Sequence, residues 1–275
     1  WLVPNNACLS IAGAFDPNQV LSLIEARFGL LQKAKNPWPA NLAPFPRPGV
    51  TKPIFLVFPD SDISADHMKI EMRYRGPDPK DTTSYFAALM LQQLANEPTS
   101  RFQMAVRKSM PKGSEPENIR IDYVPNTDSS WISVLSIVPA GKKPAETVFA
   151  FKEAVRGTEL YMVKANPSYF SAADYDRACQ ALLEEIMAIQ GDAMSSACHM
   201  ATLWSWGIPS LIFQESDFIM KTRQKNISQF VDTYIQKNLE VVMVRLNPDL
   251  YEVNKKSFSS YGFETVSTKN AFWWR

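Results

Sequence analysis

Histidine, glycine and cysteine are scarce in this chain of 275 residues, which has two, ten and three of them. These shortages weaken the case for metal sites built on histidine, glycine-rich phosphate-binding loops and cysteine-based sites. Neither a P-loop nor a G-x-G-x-x-G motif occurs, so nothing in the sequence supports a phosphate cradle, and no G-x-S-x-G nucleophile turn is present. The cysteines, Cys8, Cys179 and Cys198, have no C-x-x-C spacing and lie in apolar surroundings. We expect them to be buried free thiols, which leaves the redox compartment open.

Long apolar runs and an excess of charge of either sign are also absent. Lysine and arginine number 29 and aspartate and glutamate 28, so the formal net charge is +1. This balance gives no electrostatic case for binding nucleic acid or an anionic membrane surface. No apolar run approaches the roughly 20 residues that a membrane-spanning helix needs. We expect a soluble protein, with the compartment open between bacterial periplasm and cytoplasm.

A pattern near the start of the chain returns near its end. Residues 7–12 form a short apolar run that predicts a buried strand, and Asp16-Pro17 then predicts a capped helix start. The second copy has a strand-like run at 241–244 and the same type of helix start at Asn247-Pro248. The copies lie roughly 230 residues apart, about the length of one large domain. The repeat therefore predicts two domains of the same kind.

The predicted domain boundary falls in a proline-rich stretch. Residues 36–52 contain five prolines, a density that excludes helix and sheet interior and predicts an extended linker. Residues 1–35 are then the closing strand–helix unit of a preceding domain, and 53–275 form a complete second domain. Because Trp1 lies close to the first predicted strand, we expect the chain to be a piece of a longer protein.

Within 53–275, strands and helices are predicted in separate clusters. Periodicity and helix-start signals give the order β-β-α-α-β-β-α-α-α-α-α-β-α. The predicted strands lie at 53–58, 67–74, 119–124, 131–138 and 241–244. Such an order is typical of an α+β fold in which helices pack on one face of a mainly antiparallel sheet.

The strand, the G-x-F-D-P turn and the helix ending in F-G resemble the domain end of the insulinase/pitrilysin-type zinc metallopeptidases, the inverzincins. The linker, the helix pair predicted after Asp81 and the Ser100-Arg101 pair ahead of Arg107 also resemble that family, so the resemblance covers essentially the whole chain. The residues that match the domain end are Gly13, Phe15, Asp16, Pro17, Phe28 and Gly29.

In that family, consecutive domains of similar fold form the two halves of a clamshell, and one domain carries an H-x-x-E-H zinc site. His67 and His199 are far apart in sequence and form no such motif, whereas a zinc site of this type needs two histidines on one helical face. The resemblance therefore implies a non-catalytic domain that is inactive alone and has no metal or cofactor site. Zinc is expected on an upstream catalytic domain or a partner chain, which together with this chain encloses an extended peptide substrate.

The resemblance also implies an arginine and, seven positions later, a tyrosine that hydrogen-bond the substrate backbone or stabilise the oxyanion. Arg107 matches the arginine, but Ser114 stands at the tyrosine position, and Tyr123 is the first tyrosine downstream. Either Tyr123 replaces the missing tyrosine or the pair is lost. The alternative for Arg107 is a solvated cation that stabilises a helix C-terminus.

Several alternatives stay open. Acidic residues at 174–185 suggest acid–base chemistry, but their spacing favours the solvated face of an amphipathic helix. The leading function is a substrate-enclosing peptidase domain that holds peptides in hydrophobic pockets and at an exposed strand edge. A structural or assembly subunit of the same fold without proteolytic activity, as in respiratory complexes, is the alternative. A free-standing peptide-binding module is the third.

Overall fold

The computed structural model describes residues 3–35, 51–127, 129–267 and 269–270. The chain divides into two units. One comprises Trp1–Arg47 and Leu183–Asp217, and the other, which contains the sheet, comprises Pro48–Leu182 and Phe218–Arg275. Nearly all of the predicted linker lies outside the described residues, and so do the last five residues.

The described residues form one sheet of six strands. The strands are β1 (Ile54–Pro59), β2 (His67–Arg75), β3 (Glu117–Val124), β4 (Trp131–Pro139), β5 (Val241–Leu246) and β6 (Glu264–Thr265). They lie in the order β3-β4-β2-β5-β1-β6. Strand β2 pairs antiparallel with β4 and β5, and β4 pairs antiparallel with β3, while β1 runs parallel to β5 and β6. The predicted mainly antiparallel sheet is thus confirmed.

The helices follow the predicted order closely. The α-helices are α1 (Pro17–Phe28), α2 (Thr82–Asn96), α3 (Arg101–Ser109), α4 (Pro144–Lys152), α5 (Tyr161–Ala165), α6 (Ala172–Gly191), α7 (Ala193–Ser205), α8 (Glu215–Lys221), α9 (Gln224–Phe230) and α10 (Pro248–Ser260). Two π-helical segments, Glu153–Leu160 and Val231–Gln236, continue α4 and α9 respectively. None of the described helices is long and apolar enough to cross a membrane.

One face of the sheet forms the core of its unit. Met68, Ile70 and Met72 of β2 are fully buried, and their cross-strand partners on β5 are buried as well. Helices cover this face: the Phe55 ring of β1, for example, lies 5.2 Å from the Phe149 ring of α4. Side chains on the opposite face are mostly partly exposed. Buried and less buried side chains therefore alternate along β2, as expected for a strand with one face in the core and one face toward solvent.

The prediction of a buried strand at residues 7–12 is wrong. Residues 7–12 belong to no strand, and Leu9 is 56% exposed. Helix α1 does form after Asp16, whose carboxylate accepts a hydrogen bond from the Asn18 N–H at 2.8 Å, but none of its residues is buried. A strand requires a neighbouring strand for its backbone hydrogen bonds, and residues 7–12 have none within the described chain.

The cysteines differ from the prediction in their exposure. All three are free thiols, but Cys8 and Cys198 are exposed and Cys179 is only partly buried. Cys8 lies in the unpaired segment 7–12, and Cys198 lies on α7, which buries only one residue. Burial of a thiol depends on what packs against its segment, which local apolar composition does not determine.

Candidate functional site

Each histidine pairs with one carboxylate. His67 Nδ1, at the start of β2, lies 2.8 Å from Asp66 Oδ1. His199 Nε2 on α7 lies 2.9 and 3.0 Å from the two carboxylate oxygens of Glu215. Across the described ranges, no group of three or more histidine, cysteine, aspartate or glutamate side chains could hold a metal ion. These side chains can form ion pairs but do not make a zinc-water centre.

Arg107 lies in the last turn of α3. The Ser100 hydroxyl caps this helix by accepting a hydrogen bond from the Gln103 N–H at 3.2 Å. Arg107 is partly exposed and lines an open groove of about 550 Å³. Its Nε is buried, and no described residue accepts a hydrogen bond from it. Arg107 can thus meet a ligand that enters the groove.

Tyr123 points into the fold instead. Its hydroxyl donates a hydrogen bond to the Pro77 carbonyl at 2.8 Å, and its ring meets Tyr85 edge-on at 5.9 Å between centroids. Burial raises the pKa of Tyr123 well above its usual value, so the phenol stays neutral. Tyr123 is not among the residues that line the groove beside Arg107. The structure does not bring the two predicted site residues together there.

Ser114 does not supply a replacement. It is buried, and its hydroxyl donates to the Pro111 carbonyl at 2.8 Å. The serine at the position where the resemblance implies a tyrosine therefore holds a turn in the loop after α3, and its hydroxyl proton is engaged there.

The outer edge of β3 is closed by amide side chains of α2. Asn96 Nδ2 donates to the Ile121 carbonyl at 2.9 Å, and Asn96 Oδ1 accepts from the Ile121 N–H at 2.8 Å. Gln92 Oε1 accepts from the Tyr123 N–H at 3.0 Å. A peptide that added to β3 as a further strand would need these same backbone groups.

Gln103 of α3 completes this closure. Its buried Nε2 donates to the Ile119 carbonyl at 2.6 Å and to the Ala95 carbonyl at 2.7 Å. The other edge strand, β6, has only two residues. The expectation of an exposed strand edge is therefore wrong for β3, because side chains distant in sequence occupy the groups that a peptide would bond.

The sheet face opposite the helices carries charged and apolar side chains. The Arg73 guanidinium lies 2.5 Å from Glu71 and stacks 5.6 Å from the Trp131 ring centre. Arg245 Nε donates to the carboxylate of Asp60 at 2.6 Å. The Asp62 backbone N–H and Arg245 together hold the pKa of Asp60 below its usual value. This face therefore presents ion-paired guanidinium groups beside apolar side chains.

A separate cavity of about 670 Å³ opens among α2, α6, α8 and α9. Its lining is mainly apolar and includes Met90, Phe170 and Ile219, with Cys179 and Arg223 at its polar part. On α6 itself, Asp176, Glu184 and Glu185 are exposed and Asp174 caps the helix with Ser171, while Ala178 and Leu182 are buried. The acidic residues thus form the predicted solvated face of α6.

A buried ion cluster joins the two π-helical segments to the start of β5. Glu240 is fully buried, and its carboxylate lies 2.8 Å from Lys152 Nζ and 2.6 Å from Arg156 Nη1. Arg156 Nη2 also donates to the carbonyls of Gln236 and Asn238 at 3.1 and 2.9 Å. No local sequence pattern links side chains 84 residues apart, so this cluster could not be predicted from the sequence.

Comparison with known proteins identifies the fold. A family model described as the Peptidase M16 inactive domain matches residues 1–182. No curated protein matches the chain. Among solved structures, the periplasmic protease PqqL from Escherichia coli is similar over 86% of this chain and 24% of its own, with 13% identity and a TM-score of 0.61.

Two further structures show the same fold. The inactive peptidase domain of a protein described as a zinc protease from Bordetella parapertussis is similar over 66% of this chain and 92% of its own, with 12% identity and a TM-score of 0.55. A chain of Complex III2 from Candida albicans is similar over 87% and 54%, with 14% identity and a TM-score of 0.61.

The chain spans about a quarter of PqqL and about half of the Complex III2 chain. At these identities the structural likeness shows the fold alone, whereas the family model matches well over half of the sequence. The predicted resemblance to zinc peptidases is thereby confirmed at the level of a non-catalytic domain. The chain belongs to the Peptidase M16 inactive domain family.

Proposed function

We propose that this chain is the substrate-enclosing, non-catalytic portion of a zinc-dependent metallopeptidase that acts on peptides. The zinc site lies on an upstream catalytic domain or on a partner chain. Residues 1–35 close the preceding domain of that protein, 36–52 are the linker, and 53–275 form the inactive domain. The observation that carries the non-catalytic part of this proposal is the match of residues 1–182 to the M16 inactive domain. That match runs across both proposed boundaries, so the division at 35 and 52 rests on the repeated strand–helix pattern and on the prolines.

The geometry supports a role in enclosing substrate rather than in bond cleavage. The partly exposed sheet face offers guanidinium and apolar groups to an extended chain, and the partly exposed Arg107 lines an open groove. Because the edge of β3 is closed, the peptide is held by side chains there and not by strand addition. Closure over the bound peptide positions the scissile bond beside the zinc and limits access of water.

The test begins with the residues that precede this chain in its gene and with the intact protein. We expect an H-x-x-E-H motif upstream or in a co-purifying partner, bound zinc, and hydrolysis of unstructured peptides that a chelator abolishes and zinc restores. The periplasmic location of PqqL makes the periplasm the first compartment in which to look. Absence of both the motif and zinc from the intact protein and its partners would contradict the proposal.

Arg107 is the residue of this chain that we propose to contact the substrate backbone or the oxyanion. In the intact peptidase, Arg107→Ala should lower kcat/KM by about a hundredfold, because one donor to the developing charge is lost. Lys142→Ala, which removes an exposed cation elsewhere, is the control. Unchanged turnover in a folded Arg107→Ala protein would remove Arg107 from the site. Tyr123 could contact the substrate beside Arg107 only by breaking its hydrogen bond to the Pro77 carbonyl. Tyr123→Phe should therefore affect stability more than turnover.

A structural or assembly subunit without proteolysis is the second candidate, and the likeness to a chain of Complex III2 favours it. This candidate predicts that the protein purifies in a stable assembly that hydrolyses no peptide at any zinc concentration. Size-exclusion chromatography combined with a peptide-hydrolysis assay separates the two candidates.

A further inference from the structure

Three cations surround the open groove at the C-terminal end of α3, which we call the basic groove (Met104, Arg107, Lys108, Met110, Lys112 and Glu115). Arg107, Lys108 and Lys112 form no ion pair with any described residue. Two of them lie in the last turn of α3, where the helix dipole favours positive charge. Lys112 lies beyond the helix, so the dipole does not account for it.

The single acid of the basic groove is turned toward its own loop. Gly113, at φ +82°, donates its N–H to Glu115 Oε2 at 2.8 Å. The Pro111 carbonyl accepts from both the N–H and the hydroxyl of Ser114, at 2.9 and 2.8 Å. These local bonds hold the loop at 111–115 in shape and engage Glu115 with backbone. Glu115 keeps its own charge, but three cations outnumber this single acid, so the groove retains an excess of positive charge.

Arg107 lines the groove and is partly exposed, although its Nε is buried without a hydrogen-bond partner among the described residues. A carboxylate that enters the groove can accept hydrogen bonds from the accessible part of the guanidinium and neutralise its charge. Met104, which is 57% exposed, adds apolar surface beside it.

We infer that the basic groove selects peptide segments that carry carboxylates. This rests on the proposed function and narrows its substrate class to extended peptides with acidic side chains or an acidic C-terminal part. An open groove fits an extended chain better than an enclosed small molecule. A nucleic acid is a less favoured ligand. Nucleic-acid-binding proteins usually have a strongly basic surface, whereas this chain has a net charge of only +1 and the groove contains only three cations.

The test uses the 275-residue chain and fluorescent peptides of equal length that are acidic, neutral or basic. Fluorescence anisotropy should show the acidic peptide binding about tenfold more tightly than the neutral one at low salt, since several exposed ion pairs add up to that size. High salt should reduce the difference. Lys108→Glu/Lys112→Glu should abolish it, whereas Lys142→Glu/Lys225→Glu, the same charge change at exposed lysines outside the groove, should preserve it.

Any of four results would overturn the inference. The chain binds acidic and neutral peptides equally, or it binds neither. The control variant loses the preference for the acidic peptide as fully as the groove variant does, or single-stranded DNA binds more tightly than the acidic peptide. The intact peptidase separates this failure from failure of the proposed function. If it cleaves neutral peptides with no acidic preference, only the groove's selectivity is refuted. If it cleaves no peptide, the proposed function is refuted as well.

Discussion

The two copies of the repeated strand–helix pattern meet very different surroundings. Both helices start with a capped proline: Asp16 accepts from the Asn18 N–H, and Asn247 accepts from the Asp249 N–H at 3.0 Å. Yet β5 pairs with two strands and α10 packs against β1, whereas residues 7–12 pair with no strand of the described chain and α1 buries no residue.

This difference shows which signals act locally. A helix start is made by a few adjacent residues, so it forms in both copies. A strand needs hydrogen bonds from neighbouring strands, so the same kind of apolar run forms a strand only beside an existing sheet. The exposed apolar residues Leu9, Leu23 and Phe28 are consistent with the proposal that the first copy completes the sheet and core of a preceding domain.

Hydrogen exchange should show the largest contrast between the copies. Amides of β5, in the centre of the sheet, should exchange only on global unfolding, on the order of a thousandfold more slowly than amides of residues 8–12. Exchange followed by mass spectrometry on the chain measures both. Equal protection would mean that the first copy has a strand partner. When the preceding domain is present, residues 8–12 should become protected.

The ion cluster at the start of β5 should give the largest mutational contrast. Glu240→Ala leaves Lys152 and Arg156 without their buried carboxylate and should cost about 3–5 kcal/mol in the free energy of unfolding. Cys8 lies near the start of the apolar run of the first copy, as Glu240 lies just ahead of β5, but Cys8 is exposed. Cys8→Ala should change the free energy of unfolding by less than about 0.5 kcal/mol. Urea denaturation measures both, and similar values for the two variants would refute the contrast.

The helix caps should give a smaller contrast. Asn247→Ala should reduce the free energy of unfolding by about 1 kcal/mol, because α10 is part of the packed core. Asp16→Ala should fray α1 while leaving the main unfolding transition in place, since α1 buries nothing. Urea denaturation and helix content by circular dichroism report the two effects. A loss of global stability in Asp16→Ala would show that α1 belongs to the cooperative fold.

The pair between Asp60 and Arg245 of β5 should add a small dependence on pH. The pKa of Asp60 is lowered in the folded state by the Asp62 N–H and by Arg245. Its stabilisation is therefore present above the ordinary carboxyl pKa and is lost as pH falls through the lowered value. Asp60→Asn should flatten the fall in stability at acid pH, measured by thermal unfolding across the pH range. An unchanged profile would assign the acid sensitivity to other carboxylates.

Much of the fold could be predicted because its signals are short-range. The strands predicted at 67–74, 119–124 and 131–138 and the helix starts predicted at Asp16-Pro17 and Asn247-Pro248 all appear where expected. The site could be predicted less well. Arg107 lies at an open groove, but Tyr123 is buried against Pro77, and nothing local in the sequence indicates that.

The sequence by itself determined where helices begin, which faces of the strands are apolar and that the chain lacks the H-x-x-E-H motif. These follow from residue types within a few positions of one another. Only the tertiary structure decided that amides close the edge of β3, that Glu240 is buried between two cations and that residues 7–12 pair with no described strand. Those outcomes depend on partners 16 to 84 residues away, or on strands that must be present before pairing can occur.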